Sequence, residues 1–180
     1  MSTHKDQESR QTGRRFSKTA AILTISDKGA RGEREDRSGS ILLERLSKEG
    51  YEVLYQVVIP DEVDVIGSEL IRCAEEKRVA LVVTTGGTGV APRDVTPEAT
   101  LAVVDRTVPG MAEAMRTASL AKTPHAMISR AIVGIRGKTL IVNLPGSPKG
   151  ALENLDAILS ALPHALNKIQ GDPSDCAASD

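Results

Sequence analysis

Tryptophan is absent from this sequence, and one phenylalanine and two tyrosines are all the aromatic side chains it has. So few rings leave little on which nucleic-acid bases could stack. A formal net charge of −1 offers no overall field to draw in nucleic acid or an anionic membrane, so neither is expected as a partner. Cysteine is scarce as well. Cys73 and Cys176 lack metal-ligand spacing, one falling in a helix-like stretch and the other near the C-terminus, which argues against a disulfide framework and for two reduced thiols in a cytosolic protein. His125 and His164 have no ligand partners at metal-binding spacing and read as structural. No apolar run reaches the roughly 18 residues of a membrane helix. The opening stretch "MSTHKDQESRQTGRRFSKT" has no apolar block of signal-peptide type, and the Arg14–Arg15 pair leads into only a short apolar strand, too little for a twin-arginine signal. The reading is a soluble cytoplasmic protein.

What the chain does have suffices for one core: 180 residues, 40% of them apolar, fit a single domain. Residues 1–18 are mainly basic with almost nothing to bury, and 172–180 are small and acidic; both are expected to be flexible tails around a domain at 19–171. Within it, strands and helices alternate. "AAILTIS" (20–26), "YEVLYQVVI" (51–59), "VALVVTT" (79–85) and "KTLIVNL" (138–144) read as strands. The helices are "SGSILLERLSKEG", with Ser38 as a possible cap and Gly50 as a stop; "PDEVDVIGSELIRCAEEK", with Val65, Ile66, Leu70 and Ile71 on one face; "TPEATLAVVDR"; "GMAEAMRTASLA"; and a last stretch, "ALENLDAILSALPHALNKIQ". The Val/Leu run of the third strand lacks polar alternation, as in a parallel strand covered on both faces. The expected fold is a three-layer α/β/α domain with a mostly parallel sheet and no internal repeat.

In such sheets ligands collect beyond the carboxyl ends of the strands. There the sequence places Ser26–Asp27, Pro60–Asp61, the "GGTG" of Gly86 to Gly89, and Asn143 to Ser147. Glycines let a backbone approach an anion and point N–H groups at it. Yet Gly89 is followed by Val90 rather than Lys-Ser/Thr, and Pro92 stands where a dinucleotide fingerprint needs a small residue, so neither common nucleotide loop is present. A plain tight turn remains open for "GGTG", a helix N-cap for Asp61 and a turn-forming role for Asp94.

The ordered series "ISD" (25–27), "IPDE" (59–62), "TTGGTGVAPRDVTPEAT" (84–100), "PGMAEAMR" (109–116), "SR" (129–130) and "NLPGSP" (143–148) resembles the molybdopterin-binding family of molybdenum cofactor biosynthesis, over residues 20–171. It is most similar to the adenylyltransferase branch, which includes adenylylating domains of plant and animal proteins, gephyrin among them. The resemblance implies a nucleotidyltransferase, usually a homotrimer, that uses ATP with Mg²⁺ to attach AMP to the terminal phosphate of molybdopterin and hands the product to a molybdenum insertase. Asp61 and Asp94 match the family's two functional aspartates and are expected to handle Mg²⁺ and ATP as catalytic and metal-holding groups. Gly86, Gly87, Thr88 and Gly89 would wrap phosphates, with Ser26 and Asp27 bordering the pocket. Asn143, Pro145, Gly146 and Ser147 would form a second loop, and Ser119 and Arg130 resemble pterin-side positions. Lys28, Arg93 and Lys149 are nearby cations. A phosphate monoester has a second pKa of about 6, so the attacking oxygen needs no general base; alignment and charge neutralisation are what the step requires. The rival readings are a non-catalytic molybdopterin-binding protein and a scaffold of the same family.

Overall fold

The computed structural model describes residues 17–173. The elements run β1 (Thr19–Ile25), α1 (Asp27–Ala30), α2 (Arg37–Lys48), β2 (Glu52–Ile59), α3 (Val63–Glu75), β3 (Leu81–Thr85), α4 (Thr96–Val103), β4 (Arg106–Thr107), α5 (Pro109–Leu120), a 3₁₀ helix (Pro124–Ile128), β5 (Val133–Arg136), β6 (Thr139–Leu144), α6 (Pro148–Leu159) and α7 (Leu162–Ile169). One sheet has the order β2-β1-β3-β6-β5-β4. The first four of these strands are parallel, while β5 runs antiparallel to β6 and β4 antiparallel to β5.

The alternation of side chains along each strand divides the core in two. Ala20 and Ile22 of β1, Leu81 and Val83 of β3 and Leu140 and Val142 of β6 pack with Leu42 and Leu46 of α2, Met115 of α5, Leu155 of α6 and Leu166 of α7. On the other face Ala21, Leu23, Val82 and Ile141 meet Ile66, Leu70 and Cys73 of α3 and Ala99 of α4. Both faces are covered, so the central strands are apolar throughout, and each fully buried leucine is worth about 1.5–3 kcal/mol. The three-layer fold expected from the sequence is therefore the one observed. Cys73 is a free thiol, pushed up to about 12 by burial, and Cys176 lies outside the described residues.

Several local readings are corrected. Asp36, not Ser38, caps α2: its Oδ1 accepts from the Gly39 amide at 2.7 Å while its Oδ2 accepts from the Thr24 hydroxyl at 2.8 Å. Ser38 lies inside the helix and donates to the Gly146 carbonyl at 2.8 Å. Gly50 does stop this helix, at φ +80°. Asp61 is no cap either, because Glu62 precedes the first residue of α3 and makes no capping bond through its side chain. The last helical stretch is two helices, broken at Ser160 and Ala161 ahead of Pro163. The antiparallel β4–β5 extension and the 3₁₀ helix were not foreseen. Ser17 and Lys18, assigned by sequence to the tail, are tied to the domain: the Ser17 amide donates to Gln170 Oε1 and the Lys18 ammonium to the Glu49 carbonyl, both at 2.9 Å. Asp172, also assigned to a tail, is held too, its amide donating to the Asn167 carbonyl at 3.0 Å; the tail expectations for 1–16 and 174–180 fall outside the described residues.

Candidate active site

The ends of β1, β3 and β6 point the same way because the strands are parallel, and the turns that follow them pack against one another. Gly86 and Gly87 have φ of +107° and +63°. The Gly86 amide donates to the Leu144 carbonyl at 3.1 Å, and the Thr96 hydroxyl donates back to the Gly86 carbonyl at 2.9 Å. A Cβ on Gly86 would stand 2.2 Å from the Ile25 carbonyl oxygen, and one on Gly146 3.2 Å from the Gly86 Cα. These glycines are thus required by the close approach of three loops. A Cβ on Gly87 would stand 2.3 Å from the Thr96 hydroxyl and 3.1 Å from the Asp61 carboxylate, and one on Gly89 2.8 Å from the Asp94 carboxylate, so a side chain at either position would crowd an acidic group.

Asp27 and Asp61 hold each other across the β1 and β2 ends: the Asp27 amide donates to Asp61 Oδ2 at 2.9 Å and the Asp61 amide to Asp27 Oδ1 at 3.1 Å. Arg93 forks onto Asp27 at 2.8 and 3.0 Å and holds its carboxyl below the usual range. Asp61 moves the other way, pushed up chiefly by burial and further by the charges of Asp27 and Asp94. Its ionised form is therefore disfavoured by the fold, and stability is lost as pH rises from the unfolded pKa through the native one. Asp61→Asn keeps an acceptor for the Asp27 amide and removes the charge, so it is expected to raise the Tm of the ligand-free protein at neutral pH. The gain should vanish on acidification, where the wild-type carboxyl is protonated as well. Thermal melts between about pH 3 and 8 check this, and equal Tm values throughout would contradict it.

Asp94 sits at a loop corner with one oxygen committed: Oδ2 accepts from the Ala91 amide at 2.8 Å, while Oδ1 has no partner among the described residues. The turn-forming role is real and leaves half the carboxylate available. Ser26 Oγ accepts from the Gly29 amide (3.1 Å) and Ser147 Oγ from the Gly150 amide (3.1 Å), capping α1 and α6. Thr85 donates to the Pro145 carbonyl at 2.7 Å. Asn143 is not in the loop. It lies inside β6, wholly buried, its amide donating to the Thr84 and Thr100 hydroxyls at 3.1 and 2.9 Å. Arg130 likewise turns its guanidinium onto protein groups, the Gly89 and Asp94 carbonyls and Glu98.

Two cavities open over these loops. The larger, about 800 Å³, is lined by Ser26, Asp61, Gly86 and the cations Arg34 and Arg37, among others. The smaller, about 430 Å³, is lined by Thr88, Arg116, Ser119, Ser129, Pro145 and Glu153, among others. Gly87, Asp94, Gly146 and Ser147 line both. Each cavity is of ligand size, and a molecule in one could meet a molecule in the other at Asp94. The sequence reading missed Glu153 and Asn154, which look like ordinary positions of α6. Asn154 gave one signal, a polar residue on an apolar helix face; it is buried and donates to Ser119 Oγ at 2.9 Å. Glu153 pairs with Lys122 at 3.0 Å.

The domain family described as "Probable molybdopterin binding domain" matches residues 21–164. A molybdopterin adenylyltransferase of Helicobacter pylori is 44% identical over 153 residues, 84% of this chain and 87% of that protein. Gephyrin of Dictyostelium discoideum is 42% identical over a match that covers 84% of this chain and 22% of gephyrin. Among solved structures, the molybdopterin biosynthesis enzyme MoaB from Thermus thermophilus superposes with a TM-score of 0.82 at 50% identity, covering 89% of this chain and 99% of its own.

Proposed function

The chain belongs to the molybdopterin-binding domain family, and from that premise we propose that it is a molybdopterin adenylyltransferase of molybdenum cofactor biosynthesis. The observation that carries the reading is the pair of cavities joined at Gly87, Asp94, Gly146 and Ser147, since AMP transfer needs two substrates whose phosphates meet. An oxygen of the molybdopterin terminal phosphate forms a bond to the α-phosphorus of ATP, the bond from that phosphorus to the bridging oxygen breaks, and pyrophosphate leaves. Because the attacking oxygen is already ionised near neutrality, the protein has to align the two phosphates and offset their charge. The larger cavity suits the nucleotide: Arg34 and Arg37 face it, and the glycine turn presents backbone to its floor. The smaller cavity suits the pterin.

The donor set fits Mg²⁺, which takes one or two carboxylates and fills its remaining positions with phosphate and water. Asp61 and Asp94 would hold it, and the upward push on Asp61 from burial and its acidic neighbours is the kind of strain a cation relieves. When bound, Mg²⁺ supplies neutralisation of the triphosphate. Among the described residues no cluster of three or more metal-ligating side chains occurs, so a cage made of protein alone has no support. The assay that tests the function is incubation with ATP, Mg²⁺ and molybdopterin and mass detection of the adenylylated pterin; binding of molybdopterin without product would leave the non-catalytic alternative.

In the smaller cavity the phosphate end must lie near Ser147, where the two cavities meet. Glu153 is six residues further along α6, roughly 9 Å at helical rise, at a distance suited to the pterin ring. A carboxylate there would accept the two N–H groups of a 2-amino-4-oxo pyrimidine edge. Glu153→Gln is expected to weaken molybdopterin binding about tenfold and to leave ATP binding unchanged, because an acceptor of two donors becomes mismatched. Titration of pterin fluorescence checks it, with Lys122→Met as the control that breaks the ion pair and keeps the carboxylate.

Assembly as a homotrimer rests on the family resemblance and on exposed apolar side chains, of which Met127 at 73% and Val90 at 64% are the largest exposures. A monomeric mass by light scattering would overturn it. No helix among the described residues is long and apolar enough to cross a membrane; action in the cytoplasm and hand-over of the adenylylated pterin to a molybdenum insertase complete the proposal.

A further inference from the structure

Arg130 follows Ser129, a wall residue of the smaller cavity, yet its side chain turns away from that space. Its Nε donates to the Gly89 carbonyl at 2.6 Å and its Nη2 to the Asp94 carbonyl at 2.5 Å. Nη1 is paired with Glu98 Oε1, and Nη2 also reaches Glu98 Oε2 at 3.4 Å. The Arg130 amide adds a bond to the Thr88 carbonyl at 2.9 Å. Four bonds from a group with five N–H donors leave little to offer a ligand. They close the loop from Gly89 to Asp94 at both ends, and inside that loop the Ala91 amide pins Asp94 Oδ2.

We propose that Arg130, braced by Glu98 on the first turn of α4, is a positioning residue that fixes the Asp94 carboxylate and the Gly89 backbone at the junction of the two cavities. Without the guanidinium the Gly89 and Asp94 carbonyls lose their shared donor, the loop relaxes, and the carboxylate that faces both substrates shifts. A planar fork is needed because two N–H groups, on Nε and Nη2, must reach two carbonyls at once while Nη1 meets Glu98; an ammonium does not hold all three acceptors in that plane. The same clasp ties the pterin-side wall at Ser129 to the nucleotide-side carboxylate. The proposal rests on the reading of Asp94 as the group that handles Mg²⁺ and ATP.

The test is a double-mutant cycle between Arg130→Met and Asp94→Asn, with turnover, molybdopterin binding by fluorescence and Mg²⁺–ATP binding by calorimetry measured for each protein. Arg130→Met is expected to lower kcat about 10²-fold, the scale of an approximately 1 Å misplacement. It should weaken Mg²⁺–ATP binding severalfold and raise the Mg²⁺ concentration for half-maximal rate, with the Kd for molybdopterin within threefold of wild type. In the Asp94→Asn background the same change should cost less than threefold more, because residues acting as one unit are not additive. Arg130→Lys should recover part of the loss. Glu98→Gln, which keeps the shape and one of the two acceptor oxygens, should shift the same quantities in the same direction by a smaller factor, and it carries the test if Arg130→Met fails to fold. A tenfold or greater loss of molybdopterin affinity with kcat intact would make Arg130 a pterin contact and overturn the proposal, as would additive losses in the cycle. Normal turnover by Asp94→Asn would sink the reading of Asp94 and this proposal together, whereas a disabled Asp94→Asn with additive losses would sink this proposal alone.

Discussion

Asp94→Asn is expected to reduce AMP transfer by ~10²–10³ and to leave the affinity for molybdopterin within about threefold, under ~1 kcal/mol. The asymmetry follows from the two oxygens. Oδ2 accepts the Ala91 amide at 2.8 Å, and an asparagine oxygen can take over that bond, so the loop keeps its shape. What is lost is the negative charge at the junction of the two cavities, where the proposed reaction brings the phosphates together. Raising the Mg²⁺ concentration should restore part of the rate if weakened metal binding is the defect. Asp94 acting only as a turn residue gives the opposite pattern: stability lowered by about 0.5–2 kcal/mol with turnover per folded molecule near normal. Denaturation, pterin titration and product formation on one preparation separate the two. A parallel collapse of molybdopterin affinity would place Asp94 on the pterin rather than on the nucleotide.

Gly86→Ala is expected to have the largest effect on folding of any single methyl group added near the site. Its Cβ would fall 2.2 Å from the Ile25 carbonyl oxygen, a backbone atom that no rotamer change can move, and its φ of +107° is one that L side chains rarely adopt. Backbone strain of ~1–3 kcal/mol and overpacking of a similar size together take away a large part of the 5–15 kcal/mol that typically holds a domain. Gly110, in the first turn of α5 with nothing within 4 Å of its notional Cβ, provides the comparison: Gly110→Ala should be neutral or stabilising by up to about 1 kcal/mol. Urea unfolding of the two variants tests the contrast. A Gly86→Ala protein as stable as wild type would mean that the β1 and β3 loops are not packed as closely as described.

The architecture was legible wherever one element spoke for itself. The apolar runs of β1, β3 and β6 and the helical spacing of α2 and α3 needed no partner to be recognised, because burial on both faces writes itself into a strand as an unbroken run. β5 was missed because Val133–Arg136 is four residues long, and β4 because two exposed residues carry no pattern; both exist by pairing with a neighbour. The cap of α2 was misplaced by two residues since "DRSGS" holds more than one good capping side chain, and the Thr24 hydroxyl, distant in sequence, helps fix Asp36. At the site, the glycines and aspartates were visible by type and order. Arg130 was visible too, but not its engagement with Gly89, Asp94 and Glu98, which depends on contacts 32 to 41 positions away. Asn143 stood both at the end of the strand 138–144 and in the loop with Pro145 and Gly146, and only the sheet shows its amide spanning two buried threonines.

The order β2-β1-β3-β6 also dictates when such a chain can finish folding. β1 and β3 are paired in the register Ala20↔Leu81, and β3 and β6 in the register Leu81↔Leu140, so each of these ladders must close a loop of about sixty residues before its first bond forms. Pairings this remote in sequence slow folding, since the entropy of closure is lost before any contact compensates for it. During synthesis β3 must wait for residues 139–144 before its second edge is covered. Until then its bare Val-Val-Thr-Thr edge is open to misassociation with another nascent chain. The glycine turn, whose Gly86 amide bonds the Leu144 carbonyl, cannot be set before that moment, so the candidate site is among the last parts of the molecule to take shape.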